Sequence, residues 1–217
     1  MVLRPRIQVP EKVSLFSHDH AYRRRGYRII AGVDEAGRGC IAGPVVAGAV
    51  ILKDGVRFEG LRDSKKLTPR KRAELFWKIL IEAEDVGIGV VDVADIERLN
   101  IYEATKRAMV LAVGSLRMKP QLLLIDALKI DIPVKQISLV KGEDRSASIA
   151  AASIVAKVLR DWIMDYYDSL YPQYGFRTHR GYCTREHLRL LRLHGPSPVH
   201  RKTFRHVMDM ALPFENL

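Results

Sequence analysis

The sequence predicts one α/β domain, in which helices flank a mixed β-sheet. Two strand candidates near the N-terminus are joined by a glycine-rich turn, and the later strand candidates alternate with helices. The chain contains no internal repeat and no low-complexity tract. With 217 residues, 47% of them hydrophobic, it can build one substantial core, and no polar linker divides it.

Five segments are apolar or rich in β-branched residues, which is typical of strands. They are residues 27–33, 45–52, 85–91, 121–126 and 135–141. Because only a glycine-rich turn separates the first two, we expect them to pair as antiparallel neighbours. The fourth is apolar until it ends in Asp126, which indicates a strand that is buried on both faces.

Helices are predicted between and after these strands. They cover residues 69–84, a short stretch ending near Asn100, residues 101–118 and residues 146–171. Thr68 followed by Pro69 is typical of a helix start, and Asp92 or Asp95 can cap the short helix. The first half of the last helix is apolar nearly all round, so we expect it to pack against the sheet.

The charge of the chain is strongly positive. The formal net charge is +11, and residues 177–206 contribute +7 of it, from seven Arg and one Lys against the single acid Glu186. A surface of this kind attracts polyanions, with nucleic acid as the leading candidate and an anionic membrane as the lesser one. A ribosomal-type or merely solubilising basic surface is the alternative.

The sequence favours neither a membrane-spanning nor a secreted protein. Beyond Gly39, the longest uncharged run covers residues 40–52, which is too short to span a bilayer and is interrupted by Pro44. The N-terminal region shows no apolar signal-peptide segment. The two cysteines, Cys40 and Cys183, match neither a disulfide framework nor a zinc site, so we expect a cytoplasmic protein.

The most informative feature is a pair of adjacent acids, Asp34 and Glu35, at the end of the first strand candidate. A buried ionised group costs roughly several kcal/mol unless a partner or a metal compensates it. Asp126 ends another apolar strand in the same way, so two strands are predicted to bring acids to one edge of the sheet. We expect the turn at Gly37 to end the strand, which would let both neighbouring acids face one site.

Two more acids, Glu143 and Asp144, stand just before the helix that begins at Ser146, where the helix dipole favours an anion. Single acids have simpler interpretations: Asp144 as a helix-end charge, or Asp34 as the partner of Arg38. Taken together, these acids offer hard oxygen ligands, which favour Mg²⁺ or Mn²⁺. An acidic cluster in a basic protein also favours two-metal phosphoryl transfer, with the ions about 4 Å apart.

Five longer motifs follow one another in order between residues 27 and 204. They are VDEAGRG at 33–39, DSKKL at 63–67, KGEDRSASIAAASIVAK at 141–157, HRGY at 179–182 and HGPSPVHR at 194–201. These motifs resemble those of bacterial ribonuclease HII, the type 2 ribonuclease H. The resemblance implies a ribonuclease H-like mixed β-sheet flanked by helices, with a small C-terminal helical appendage. The implied domains are an N-terminal extension (1–26), a catalytic domain (27–195) and a C-terminal tail packed on that domain (196–217).

The resemblance also implies an activity. It is metal-dependent endonucleolytic hydrolysis of RNA in RNA·DNA hybrids and at single ribonucleotides in duplex DNA, which leaves 5′-phosphate and 3′-hydroxyl ends. Asp34, Glu35 and Asp126 match the family's metal-binding and catalytic acids. The fourth catalytic acid of the family, in its K-G-D segment, falls on Glu143, and Asp144 directly after it is the alternative. The implied cofactor is Mg²⁺ or Mn²⁺.

Substrate-binding residues are implied by the same resemblance. Gly37, Arg38 and Gly39 match the segment that contacts the ribonucleotide, where glycines let backbone groups approach the 2′-hydroxyl. A tight turn that needs glycine is the structural interpretation, and both can hold. Tyr182 matches the tyrosine that packs on the sugar after the ribonucleotide, with a core position as the alternative.

Basic side chains complete the predicted substrate site. Lys65 and Arg180 would hold backbone phosphates. A solvated turn is the alternative for Lys65. For His179 we expect a phosphate contact rather than a catalytic role.

Two other functions are compatible with the sequence. One is a basic nucleic-acid-binding protein without catalysis, whose acids keep it soluble or pair with arginines. The other is a nuclease of the same fold with another DNA substrate. That interpretation does not explain the Gly37–Gly39 segment together with Tyr182. We expect a monomer that binds RNA·DNA hybrids and ribonucleotide-containing duplex DNA but no membrane. The sequence does not identify a replication clamp as a further partner.

Overall fold

The computed structural model describes residues 15–61, 64 and 67–211. The strands in this part of the chain are Ile30–Ala36 (β1), Val45–Leu52 (β2), Ala83–Val91 (β3), Leu122–Asp126 (β4) and Lys135–Leu139 (β5). The α-helices are Leu15–Arg24 (α1), Pro69–Glu82 (α2), Val93–Leu99 (α3), Ile101–Gly114 (α4), Ala147–Leu170 (α5), Phe176–His179 (α6), Arg185–His194 (α7) and Arg205–Ala211 (α8).

The five strands form one mixed sheet in the order β3-β2-β1-β4-β5. β1 pairs with β2, and β2 with β3, as antiparallel neighbours, whereas β1 with β4 and β4 with β5 are parallel pairs. The predicted antiparallel pair and the predicted α/β class are both confirmed. β1 is the central strand of the sheet. The acids near its carboxyl end therefore lie at the middle of the sheet edge that the carboxyl ends of β1 and β4 form.

Helices cover both faces of the sheet at very short range. A side chain at Gly32 of β1 would lie 2.0 Å from the Ser148 carbonyl carbon of α5, so glycine lets this helix contact the strand backbone. On the opposite face, a side chain at Gly89 of β3 would lie 2.0 Å from the Ala108 carbonyl oxygen of α4. The apolar half of α5 is buried as predicted, in one core with α2, while α4 builds the core on the other face.

Most predicted elements are confirmed, with ends that shift by a few residues. Thr68 caps α2 by accepting from the Lys71 N–H, and Asp92 rather than Asp95 caps α3. The range 27–33 predicted for the first strand is displaced from β1, which begins at Ile30 and continues through both acids to Ala36, where the turn expected at Gly37 ends it. Charged residues are rare in strands, but pairing with β2 continues as far as Ala36 opposite Val46 and overrides that preference.

The described residues after Gly195 include the short helix α8, which packs on the domain. Val207 of α8 is buried with Ile41 and with Leu191 of α7 in a small satellite core. The segment between α7 and α8 forms an isolated antiparallel bridge between Ala42 and His200. This segment therefore runs directly beside the loop that follows β1.

The N-terminal helix α1 was not predicted from the sequence. Its Asp19 is buried and accepts from the backbone N–H and the hydroxyl of Ser148, each at 2.8 Å, at the start of α5. Its Arg23 donates to the carbonyl of Leu52 at the end of β2. Across the described residues, none of the helices combines the length and apolarity needed to cross a membrane.

Candidate active site

The acids of β1 and β4 lie side by side at one edge of the sheet. The two strands run parallel, and their paired register ends with Val33 opposite Ile125. The next residue on each strand is an acid, Asp34 on β1 and Asp126 on β4. The sequence predicted this juxtaposition from two apolar strands that each end in a carboxylate, and the strand register produces it.

Asp34 lies in a strongly negative local environment. It is buried, and its Oδ1 accepts from the backbone N–H of Glu35 at 2.8 Å. Burial raises the pKa of Asp34 well above its usual range, and the negative charges of Glu35 and Asp126 raise it further. A hydrogen bond from Ser153 of α5 opposes this increase in the pKa. Burial and the two neighbouring carboxylates therefore both disfavour the ionised form of Asp34.

Asp126 connects the sheet to the turn that carries the remaining acids. Its Oδ1 accepts from the backbone N–H of Gly142 at 2.7 Å, and residues 142–144 form one turn of 3-10 helix. In that turn Glu143 is buried, with 8% of its surface exposed, whereas Asp144 is exposed. Of the two alternatives for the fourth acid, Glu143 therefore lies on the inner side of the turn, toward the sheet.

This carboxylate set suits a divalent cation. Mg²⁺ and Mn²⁺ prefer carboxylate oxygens, and a cation relieves the repulsion that raises the pKa of Asp34. Within residues 15–61, 64 and 67–211, no three His, Cys, Asp or Glu side chains are already grouped closely enough to hold an ion. The backbone register fixes Asp34 and Asp126 as neighbours, so shared ligation requires rotation of the side chains and no change of fold.

A cavity of about 210 Å³ lies next to the acids. Its lining includes Glu35, the backbone of Gly37 and Gly39, and the side chains of Lys157 and Tyr182. Glu35 therefore belongs both to the acidic set and to the surface formed by the predicted substrate segment. One continuous site contains these two groups of residues.

The Gly37 turn requires glycine on two grounds. Its φ of +97° is unfavourable for residues with a side chain, and an added Cβ would lie 2.0 Å from Nε of Arg160. Arg38 and Gly39, the next two residues, are exposed at the mouth of the cavity. The turn thus lines the cavity on one side, and the buried Arg160 lies against its other side.

Tyr182 is exposed over 40% of its surface, which differs from the core position that was its alternative interpretation. The ammonium of Lys157 lies 5.9 Å from the centroid of its ring. Lys157 is also paired with Asp161, and burial is the main cause that lowers the pKa of this lysine. Tyr182 and Lys157 together form one wall of the cavity.

The three basic residues that were predicted to contact phosphates have different outcomes. Arg180 is ion-paired with Asp165 at 2.6 Å and donates to the Asp161 carbonyl at 2.9 Å, so it is part of a charged cluster. Lys65 lies outside the described residues. The phosphate contact expected for His179 is wrong, because this ring is buried and its two nitrogens bond to the backbone of Tyr174 and Gly181.

Sequence reasoning missed several residues of the site. Ser153 and Lys157 are polar residues one helical turn apart in the otherwise apolar start of α5, and that spacing could have identified a face directed at the site. Arg160 and Arg201 are completely buried, and no pattern in the sequence distinguishes them from surface arginines.

The matching family and the related sequences carry the same name. Residues 31–207 match the family described as Ribonuclease HII. A ribonuclease HII from Bacillus licheniformis is 51% identical over 191 residues, which cover 88% of this chain and 75% of the relative. One from Acetivibrio thermocellus is 55% identical over 182 residues, covering 83% and 71%.

Solved structures agree with the fold. A ribonuclease H2 from Pyrococcus horikoshii OT3 superposes with a TM-score of 0.71 at 27% identity, covering 84% of this chain and 96% of that one. An RNase HII from Archaeoglobus fulgidus, solved in a complex with PCNA, gives a TM-score of 0.69 at 27% identity, covering 82% and 95%. The family match, the relatives and the fold lead to one conclusion. This chain belongs to the ribonuclease HII family, metal-dependent endonucleases that hydrolyse RNA in RNA·DNA hybrids.

Proposed function

We propose that this chain cuts the RNA strand of RNA·DNA hybrids and also cuts at single ribonucleotides embedded in duplex DNA, leaving 5′-phosphate and 3′-hydroxyl ends. One observation supports this proposal most strongly. Glu35 of the acidic set lines the same cavity as the Gly37–Gly39 turn and Tyr182. A phosphodiester bond beside a ribose held by that turn would therefore lie next to the carboxylates.

The acids hold the metal ions in this proposal. Asp34, Glu35 and Asp126 are the main ligands, and Glu143 is the fourth because its side chain is buried on the inner side of its turn. When bound, Mg²⁺ or Mn²⁺ would activate a water molecule and stabilise the leaving oxygen, in the manner of two-metal phosphodiester hydrolysis. The Gly142 N–H keeps the Asp126 carboxylate oriented, and the Glu35 N–H does the same for Asp34.

The remaining residues select and position the substrate. The backbone of the Gly37–Gly39 turn contacts the 2′-hydroxyl, the group that distinguishes a ribonucleotide from its DNA neighbours. Tyr182 packs on the sugar that follows, with Lys157 beside it. Lys65 and Arg180 contact backbone phosphates, and the positive charge of residues 177–206 also attracts the duplex.

The direct test uses a duplex that carries a single ribonucleotide. The protein is incubated with this duplex, with an all-DNA duplex and with a long RNA·DNA hybrid, each with and without Mg²⁺, and the product ends are mapped. We expect cutting of the first and third substrates only, dependent on Mg²⁺, with 5′-phosphate products. Binding without Mg²⁺-dependent cutting would refute the proposal and favour a nucleic-acid-binding protein. Cutting of the all-DNA duplex would refute the role of the 2′-hydroxyl.

A further inference from the structure

Arg201, at the end of the HGPSPVHR motif, is completely buried against the backbone of the Gly37 turn. Its Nη1 donates to the carbonyls of Arg38 at 3.1 Å and Cys40 at 2.6 Å. Its Nη2 donates to Gly37 at 2.7 Å and to Gly43 at 2.8 Å, and its Nε donates to Gly43 at 3.0 Å. All the N–H donors of the guanidinium are thus used on one loop, which a lysine ammonium could not reproduce.

The charge of Arg201 strengthens these bonds. Burial, and to a lesser degree the positive charge of Arg160, lowers the pKa of Arg201 to about 9, so the side chain stays protonated at neutral pH. Hydrogen bonds from an ionised donor are shorter and stronger than neutral ones. The loop carbonyls replace the water that this charge loses on burial.

A second buried arginine holds the other end of the same loop. Arg160 of α5 donates to the carbonyls of Ala42 at 2.9 Å and Pro44 at 3.0 Å. It also donates to the carbonyl of Arg180 at 2.8 Å, in the segment that leads to Tyr182. The loop after β1 and the segment before Tyr182 are therefore connected through one side chain.

His200, the neighbour of Arg201 in sequence, reaches Tyr182 through a directed chain of hydrogen bonds. Its Nδ1 accepts from the backbone N–H of Ser197 at 3.0 Å, so in the neutral ring the proton is on Nε2. That Nε2 donates to Nε2 of His187 at 3.0 Å. The proton of His187 must then be on Nδ1, which donates to the carbonyl of Tyr182 at 2.8 Å.

Backbone bonds join the same three segments. The Arg201 N–H donates to the Ile41 carbonyl at 2.9 Å, and the Gly43 N–H donates to the Val199 carbonyl at 2.8 Å. The Ile41 N–H donates to the Gly181 carbonyl at 2.9 Å. The loop after β1 is thus bonded on one side to the HGPSPVHR segment and on the other to Gly181, next to Tyr182.

We propose that His200 and Arg201 are positioning residues that fix the separation between the Gly37–Gly39 turn and Tyr182, and thereby set the preference for an isolated ribonucleotide. The inference rests on the proposed function, in which the turn contacts the ribose and Tyr182 contacts the next sugar. These two elements must be one nucleotide apart. A small displacement of either would weaken selection at a ribonucleotide followed by DNA more than cutting within continuous RNA.

The test compares two substrates for each variant. The value of kcat/KM is measured on a duplex with a single ribonucleotide and on a long RNA·DNA hybrid, and the ratio of the two values is the selectivity. For Arg201→Lys, which keeps the charge and loses the planar fork, we expect the selectivity to fall about tenfold. The matched control is Arg117→Lys, because Arg117 is an exposed arginine that pairs with Asp85 on β3. That variant should keep the selectivity of the unaltered protein.

A second pair of variants tests His200. His200→Gln places an amide N–H near the position of Nε2 and can still donate to His187, whereas His200→Leu cannot donate. We expect His200→Leu to lower the selectivity and His200→Gln to restore most of it. In a Tyr182→Ala background, Arg201→Lys should no longer change the selectivity, because its effect depends on where Tyr182 lies.

Each outcome has one meaning. Thermal melting first establishes which variants are folded. Unchanged selectivity in folded Arg201→Lys and His200→Leu would overturn the inference while leaving the proposed function intact. The inference would also be overturned if Arg201→Lys and His200→Leu both failed to fold while His200→Gln was folded and fully selective. The segment would then contribute to stability alone. If the unaltered protein failed to cut the single-ribonucleotide duplex, the proposed function itself would be refuted.

Discussion

Asp34 and Asp126 directly follow Val33 and Ile125, the last paired residues of two neighbouring parallel strands, and the charge of Asp126 contributes to raising the pKa of Asp34. Their proximity is a consequence of strand pairing, because each acid directly follows a paired residue. It places two of the proposed metal ligands on paired strands at the centre of the sheet. The proposed substrate-contacting residues are instead carried by the turn after β1 and by the segment around Tyr182.

Asp34→Asn should abolish cutting and leave duplex binding largely intact. The change removes a proposed metal ligand but no group that contacts the nucleic acid, so we expect a loss of more than about a hundredfold, beyond the range for outer-shell partners. Stability should not fall, since a neutral amide is less costly to bury than a repelled carboxylate. Cutting, filter binding and melting temperature are measured on the same preparation. Full activity would refute the assignment of Asp34 as a metal ligand.

Glu143 and Asp144 differ in burial, and this difference predicts different effects of substitution. Glu143→Gln should lower kcat by at least about tenfold, as loss of a metal-site group does. Asp144→Asn should remain within about twofold of the unaltered protein, because exposed charges outside a site contribute little. Steady-state kinetics at saturating Mg²⁺ measure both. Equal losses in the two variants would show that burial does not identify the fourth acid.

Tyr182→Ala should weaken cutting at an isolated ribonucleotide by roughly tenfold, which corresponds to ~1.4 kcal/mol of lost contact with the nucleic acid. Tyr102 on α4 provides a matched control. It is exposed to a similar extent, and the ammonium of Lys106 lies 5.7 Å from its ring, but it is remote from the cavity. Tyr102→Ala should retain the rate of the unaltered protein. If both variants cut the single-ribonucleotide duplex equally well, Tyr182 does not belong to the substrate site.

The buried histidines predict a loss of stability in mild acid. Burial lowers the pKa of His187 to about 4 and that of His200 to about 3, from 6.5 in the unfolded chain. Since the folded-state pKa is the lower one, the neutral rings stabilise the fold fully above about pH 6.5. This contribution is lost as the pH falls from about 6.5 toward 4 and 3.

Urea unfolding at about pH 7.5 and about pH 5 measures this effect, in a range where most carboxylates stay ionised. The free energy of unfolding of the unaltered protein should decrease on acidification. His200→Gln has one titrating ring fewer, so its free energy of unfolding should decrease less. Equal decreases in the two proteins would contradict the prediction that His200 is neutral when folded.

The sheet, its flanking helices and the acidic edge were predictable because each depends on local patterns. Apolar runs predicted the strands, and the largely apolar start of α5 predicted the helix that packs on the sheet. Two strands that end in acids gave the pairing of Asp34 with Asp126. Caps such as Thr68 gave helix starts, since the capping residue and the N–H that it binds are close in sequence.

The remaining features depend on contacts between distant residues. β1 continues through Glu35 because its partner strand continues, and neither propensity nor charge reveals that. α1 has few apolar residues and is held through Asp19, which binds Ser148 far along the chain. The burial of Arg201 is possible only because loop carbonyls gather around it. His179 was misjudged for the same reason, since its ring is satisfied by backbone groups that only the fold brings near.

Direct measurement of metal binding tests most closely whether Asp34 and Asp126 share a metal site. The affinity for Mn²⁺ is measured by calorimetry for the unaltered protein, Asp34→Asn, Asp126→Asn and the double variant, in the absence of nucleic acid. We expect binding by the unaltered protein and a loss of at least about tenfold in each single variant. The double variant should lose less than the two single effects combined, because both side chains hold one site. Affinity in Asp34→Asn equal to that of the unaltered protein would contradict a metal site shared by Asp34 and Asp126.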